Sequence, residues 1–173
     1  LLAGATTAIA VDIDGFRLKQ ARRLGATHTV DDSDGTALRQ VLEISREIRP
    51  GRPEREGADV AFETAGSLPT TRNALMATRR GGVAVLVGLP PESNVELDIA
   101  AAASKEIDIR GMFRYANQYP PAIALTEAGR VDVCSLVTQH FPLEQAEEAL
   151  LFADEQKSSA LKVMVDIADS ETA

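Results

Sequence analysis

Ala8-Ile9-Ala10-Val11-Asp12 is a run of apolar residues that closes on a carboxylate, and five positions later Arg17 opens an amphipathic stretch. The run reads as a strand over residues 7–12. Residues 16–24 then carry Leu18, Ala21 and Leu24 on one helical stripe, with Gly25 as the C-cap. The same alternation continues downstream. Residues 27–30 form a short strand, and Asp34 can cap a helix carrying Leu38, Val41, Leu42 and Ile48 that stops before Pro50. Residues 50–57 are charged and rich in Pro and Gly, a surface loop. Residues 58–62 read as a buried strand. Ser67 can cap a helix with Pro69 near its start and Leu75 and Met76 inside, which Gly81-Gly82 is expected to end. Residues 83–87 are continuously apolar, as a parallel sheet buried on both faces requires, and residues 107–112 give a last buried strand. The order predicts an α/β fold, a doubly wound parallel sheet with right-handed crossovers placing helices on both faces.

Beyond residue 115 the pattern changes. Pro120-Pro121 opens a helix holding Ile123, Leu125 and Ala128, closed by Gly129. Residues 131–141 are more extended, and residues 143–153 put Leu143, Ala146, Ala149, Leu150 and Ala153 on one helical stripe. Leu161, Val163, Val165 and Ile167 alternate with Lys162, Met164 and Asp166, a half-buried strand. Residues 169–173 read as a loose tail.

A carboxylate ending a strand near the reversal point of such a sheet can accept hydrogen bonds from both hydroxyls of an adenosine ribose. It repels a 2′-phosphate and so favours NAD over NADP. Asp12 holds that position; the plainer reading is an ordinary acid at a helix N-terminus, a role for which Asp14 competes. Arg17 could lay its planar guanidinium on an adenine or simply be solvated. The phosphate-binding loop of such a fold, a strand followed by G-x-G-x-x-G, belongs upstream of Asp12. Leu1-Leu2-Ala3-Gly4-Ala5 reads as only the tail of the helix after it, so an incomplete sheet is expected.

Three further stretches stand at strand ends. Gly88, in Val87-Gly88-Leu89, would let a ligand approach the backbone, or merely turn the chain before Pro90-Pro91. Glu63-Thr64-Ala65-Gly66 is a second, weaker loop at the same edge. Arg114 and Tyr115, in Gly111-Met112-Phe113-Arg114-Tyr115, are costly directly after a buried strand unless paired or near water. They offer a fork of donors and a hydroxyl suited to a polyhydroxylated ligand; a surface Arg and a Tyr at a domain seam is the plainer alternative.

Composition excludes several classes. With 18 basic and 26 acidic residues the net charge is −8, and the basic residues form no face suited to nucleic acid. No apolar stretch is long enough for a bilayer, so no membrane partner is expected. A single cysteine, Cys134, precludes an internal disulfide and fits a reducing, cytoplasmic setting. Cys134 reads as a small hydrophobe, and His28 and His140 as structural. None has zinc-motif spacing, so no residue is assigned to a metal.

At these stretches the chain resembles the zinc-containing medium-chain dehydrogenases, in their sorbitol (polyol) dehydrogenase branch. The resemblance rests on residues 11–18, 81–89, 107–115 and 136–143, and the Phe113-Arg114-Tyr115 segment is its most branch-specific part. It implies a Rossmann-like sheet with the first strand missing over residues 1–115. Residues 116–173 would be a connecting helix and a C-terminal return into a GroES-like catalytic domain. It also implies roles. Asp12 would bind ribose and Arg17 would lie beside adenine. Val87, Gly88 and Leu89 would line the nicotinamide through their backbone, with Met112, Phe113 and Arg114 as further cofactor contacts. Arg114 and Tyr115 would reach substrate hydroxyls. The implied chemistry is hydride transfer from a secondary hydroxyl of a polyol or alcohol to NAD. In the family a zinc polarises the substrate oxygen, and its ligands lie upstream of the glycine-rich loop. A homo-oligomer is expected at full length, and no activity from this segment alone. Two other readings stay open at this stage: a non-enzymatic nucleotide-binding domain, and a methyltransferase.

Overall fold

The computed structural model describes residues 2–92 and 94–167. In chain order its elements are β1 (Ile9–Asp12), α1 (Gly15–Arg23), β2 (His28–Asp31), α2 (Ala37–Ile48), β3 (Ala58–Glu63), α3 (Leu68–Ala77), β4 (Thr78–Leu86), α4 (Ile99–Ser104), β5 (Asp108–Gly111), α5 (Tyr119–Glu127), β6 (Val137–Pro142), α6 (Ala146–Glu155) and β7 (Lys162–Asp166). Two compact units result: residues 1–31 with 117–173, and residues 32–116. Every strand pairing is parallel, in the orders β1-β2, β3-β4-β5 and β6-β7. The α/β class and the parallel pairing agree with the sequence reading. Among the described residues the strands form three ladders.

In the first unit α1 starts because Asp14 is extended and its carboxylate accepts from the N–H groups of Phe16 and Arg17 at 2.8 and 3.3 Å. Leu18 faces inward from α1, and Val30 of β2 is almost fully buried. The β6–β7 pair carries Phe141, whose ring meets Phe152 of α6 with centroids 5.6 Å apart. The predicted alternation holds within β7, where Val163 and Val165 are half-buried and Lys162, Met164 and Asp166 exposed, but fails at Ile167, which is 81% exposed just past the strand. Two further expectations here are corrected. Residues 2–4 form a turn and bend rather than the end of a helix, and Cys134 is exposed on a short 3-10 turn. Leu1 and the expected tail over residues 169–173 lie outside the described residues.

The second unit is built on β4, whose Ala84 and Val85 are buried with Leu75 of α3. Register runs from Val60 opposite Val83 to Glu63 opposite Leu86, and from Val83 opposite Asp108 to Leu86 opposite Gly111. Four expectations change. Gly81-Gly82 does not end α3, which stops at Ala77; the pair sits inside β4, at a register shift between Ala58 and Val60 of the neighbouring strand. A glycine pair permits such a bulge as readily as it ends a helix. Asp34 does not cap α2: it accepts from Thr36, while Asp32 accepts the N–H of Ala37 at 2.9 Å. Strand β3 is not buried, since Val60 and Phe62 project from one face and Phe62 is 64% exposed. Strand β5 is exposed throughout. Apolar composition favours an extended strand without by itself burying it. The short helix α4, which the sequence reading did not include, is started by Asp98 accepting from Ala101 at 2.8 Å.

Candidate functional site

The first unit holds Asp12 and Arg17. Asp12 ends β1 half-buried, and its Oδ1 accepts the N–H of Asp14 at 3.0 Å. Asp14 has taken the helix cap. The competitor for the capping role is thereby occupied, and Asp12 Oδ2 has no hydrogen bond among the described residues. Arg17 reaches sideways, and its Nη2 donates to the carbonyl of Lys157 at 3.4 Å.

The second unit holds the other predicted residues, brought together at the C-terminal ends of three neighbouring strands. Val87-Gly88-Leu89 leaves β4, Glu63 ends β3, and Met112-Phe113-Arg114 leaves β5. The N–H of Met112 donates to the carbonyl of Leu86 at 2.9 Å, which joins the turns after β4 and β5. Val87, Leu89, Met112, Phe113 and Tyr115 all expose apolar or aromatic surface here. Arg114 adopts a left-handed backbone (φ 58°), and its guanidinium carbon lies 5.0 Å from the centroid of the Phe113 ring. That cation–π contact keeps the Arg114 head group at the strand end.

The turns after β3 and β4 are one structure. Val87 and Gly88 donate their N–H groups to the Glu63 carbonyl at 2.8 and 3.0 Å. Those two donors are spent, so carbonyl oxygens are what this turn can offer a ligand. Gly66 has φ +70°, and a methyl group on it would come within 2.6 Å of the Leu89 carbonyl oxygen. A methyl group on Gly88 would come within 2.5 Å of Glu63 Oε2 and 2.6 Å of the Gly66 Cα. Backbone packs directly on backbone, which only glycine at both positions allows.

The opposite end of the same strands has a different chemistry. Asp59 receives Arg79 Nε at 2.6 Å, pairs with Arg49, and has Arg55 at 3.7 Å. The hydrogen bond from Arg79, aided by the charge of Arg49, holds the Asp59 carboxyl below its ordinary range. Burial lowers the Lys105 pKa, and its ammonium donates to the carbonyl of Met76 at 2.7 Å. Two clefts, of about 200 and 530 Å³, lie beside Lys105 and beside Ser67, and neither is lined by a residue the sequence assigned. The candidate site is an open strand edge rather than an enclosed cavity.

Residues 1–128 match a protein family described as zinc-binding dehydrogenase. The chain is 40% identical over 162 residues to a sorbitol dehydrogenase of Bacillus subtilis (strain 168), covering 94% of this chain and 44% of that protein. It is 34% identical to D-xylulose reductase A of Aspergillus niger, covering 96% of this chain and 45% of that protein. A crystal structure of an oxidoreductase/dehydrogenase of unknown specificity from Escherichia coli superposes with a TM-score of 0.85 at 31% identity. That match covers 96% of this chain and 45% of the other. The chain thus spans under half the length of the relatives it matches.

Proposed function

The chain belongs to the zinc-binding dehydrogenase family, and on that premise we propose that it supplies the cofactor-binding part of a polyol or alcohol dehydrogenase. Its reaction would be the oxidation of a secondary hydroxyl, with NAD as hydride acceptor. The observation that carries this reading is the fused pair of turns after β3 and β4, which fixes the backbone of Val87-Gly88-Leu89 at the strand ends, next to the segment Met112-Phe113 that leaves β5. Asp12 would accept from the ribose hydroxyls through the oxygen its own turn does not use, and its charge would disfavour a 2′-phosphate. Arg17 would lie beside adenine by leaving its long contact with Lys157. Carbonyls of Val87, Gly88 and Leu89 would accept from the nicotinamide carboxamide. Arg114, steadied by Phe113, would reach substrate hydroxyls together with Tyr115.

NAD, when bound, accepts the hydride; this chain's residues orient the ring and hold the ribose. The family name implies zinc, but among the described residues no group of three His, Cys, Asp or Glu is placed to hold a metal. No step is assigned to a metal through these residues. In this reading residues 1–115 form the cofactor domain and residues 116–173 return toward a catalytic domain. The full-length protein is a homo-oligomer in a reducing, cytoplasmic compartment, with no membrane or nucleic-acid partner. No helix among the described residues is long and apolar enough to cross a membrane. The non-enzymatic reading is not favoured, because the relatives are named dehydrogenases and reductases.

The test is a chimera in which this chain replaces the matched part of the Bacillus subtilis sorbitol dehydrogenase. Sorbitol-dependent formation of NADH is the expected result. A folded chimera that binds no NADH would sink the reading.

A further inference from the structure

Glu63 has no role in the reading above, yet its carboxylate is the most heavily engaged polar group at the strand edge. It is 3% exposed. Its Oε1 accepts from the N–H of Ala65 at 2.9 Å, the N–H of Gly66 at 2.8 Å and the hydroxyl of Thr70 at 2.7 Å. All three partners are donors, so Oε1 serves here purely as an acceptor. Thr70 is held in turn by the cap of α3, where its Oγ1 lies 2.7 Å from Ser67 Oγ. Oε2 stands against Gly88. The main-chain carbonyl of the same residue accepts from Val87 and Gly88. One residue therefore grips the Gly66 turn with its side chain and the Gly88 turn with its backbone.

We propose that Glu63 is a positioning residue for the nicotinamide: its buried carboxylate locks the Gly66 turn against Gly88 and so fixes the backbone of Val87-Gly88-Leu89. The proposal rests on the reading that this backbone faces the nicotinamide. Replacing the carboxyl by an amide leaves three donors competing for a single carbonyl oxygen. It also puts an amide NH₂ beside Gly88 and Gly66, where an oxygen now fits. The turn then loses its fixed geometry while the ribose carboxylate of the other unit is untouched. The signature is selective: binding of the nicotinamide half falls, and binding of the ADP-ribose half does not.

The experiment uses the full 173-residue chain, ¹⁵N-labelled, titrated separately with NADH and with ADP-ribose. In the wild type, NADH shifts the amides of Val87, Gly88 and Leu89, and ADP-ribose does not. In Glu63→Gln, ADP-ribose affinity stays within about twofold, NADH affinity falls at least fivefold to the ADP-ribose level, and the Gly88 amide exchanges with solvent at least tenfold faster. Thr70→Val, which removes one of the three donors, gives a two- to threefold loss, and Thr70→Ser restores NADH binding; this pair decides the matter if Glu63→Gln fails to fold. Equal NADH affinity and equal shifts at Val87–Leu89 in the wild type and in Glu63→Gln, or in Thr70→Val, would overturn the positioning role alone. A wild-type chain whose Val87–Leu89 amides ignore NADH would overturn the functional reading, and this inference with it.

Discussion

Strands β3 and β4 are held together differently at their two ends. At the C-terminal end, backbone packs on backbone at Gly66 and Gly88, and a buried carboxylate accepts from amides and a hydroxyl. At the N-terminal end, long side chains do the work: Arg49, Arg55 and Arg79 converge on Asp59, which is itself 46% exposed. The first arrangement tolerates almost no added volume between its two turns. The second gathers arginines around a carboxylate that is itself half-exposed, so solvent screens the ion pairs in part.

The contrast orders the expected effects of substitution. Gly88→Ala should be the most damaging, about 3 kcal/mol, because neither Gly66 nor Glu63 can retreat from a methyl group there; chemical denaturation of the chain measures it. Glu63→Ala should follow at roughly 2 kcal/mol, since it leaves donors from Ala65, Gly66 and Thr70 without their acceptor. At the other end, Asp59→Asn should cost under about 1 kcal/mol, as half-exposed ion pairs do. A loss larger than that of Glu63→Ala would reverse the comparison.

The Asp59 contribution should also depend on pH. Its carboxyl is held below the ordinary value in the fold, so the native state keeps it ionised where the unfolded chain takes up a proton. The stabilisation is fully present above the unfolded value of about 3.9 and fades as pH falls through the lowered native one. Wild type and Asp59→Asn should therefore converge in stability in acid and not at neutral pH. Smallest of all, Phe62→Thr on the exposed face of β3 should change the stability of this chain by under about 0.5 kcal/mol.

Much of this was legible in the sequence. The strand closing on Asp12, the apolar run of β4 and the Ser67 cap with Pro69 are local signals, and each lies where the pattern put it. Asp12 and Asp14 were ambiguous in sequence because both are acids beside a helix start. The cap geometry separates them by giving the two N–H groups to Asp14. Gly81-Gly82 misled because a glycine pair marks a bulge and a helix end alike, and only the partner strand decides. Apolar composition signals that β3 and β5 are strands but does not show how far each is buried. The part played by Glu63 was missed although its loop was noticed. A signal existed, an acid ending a strand with a Ser-x-x-Thr cap just beyond, but its meaning depends on Gly88, twenty-five residues away and adjacent only in the fold.

Two ends of these strands compete for the cofactor, since its phosphates give the arginine end a rival claim. Hydrogen–deuterium exchange of the full chain with and without NADH decides between them. The predicted result is protection over residues 63–67, 87–89 and 112–114, with residues 49–59 and 79–80 unchanged. Protection confined to Arg49, Asp59 and Arg79, or none at either end, would contradict it.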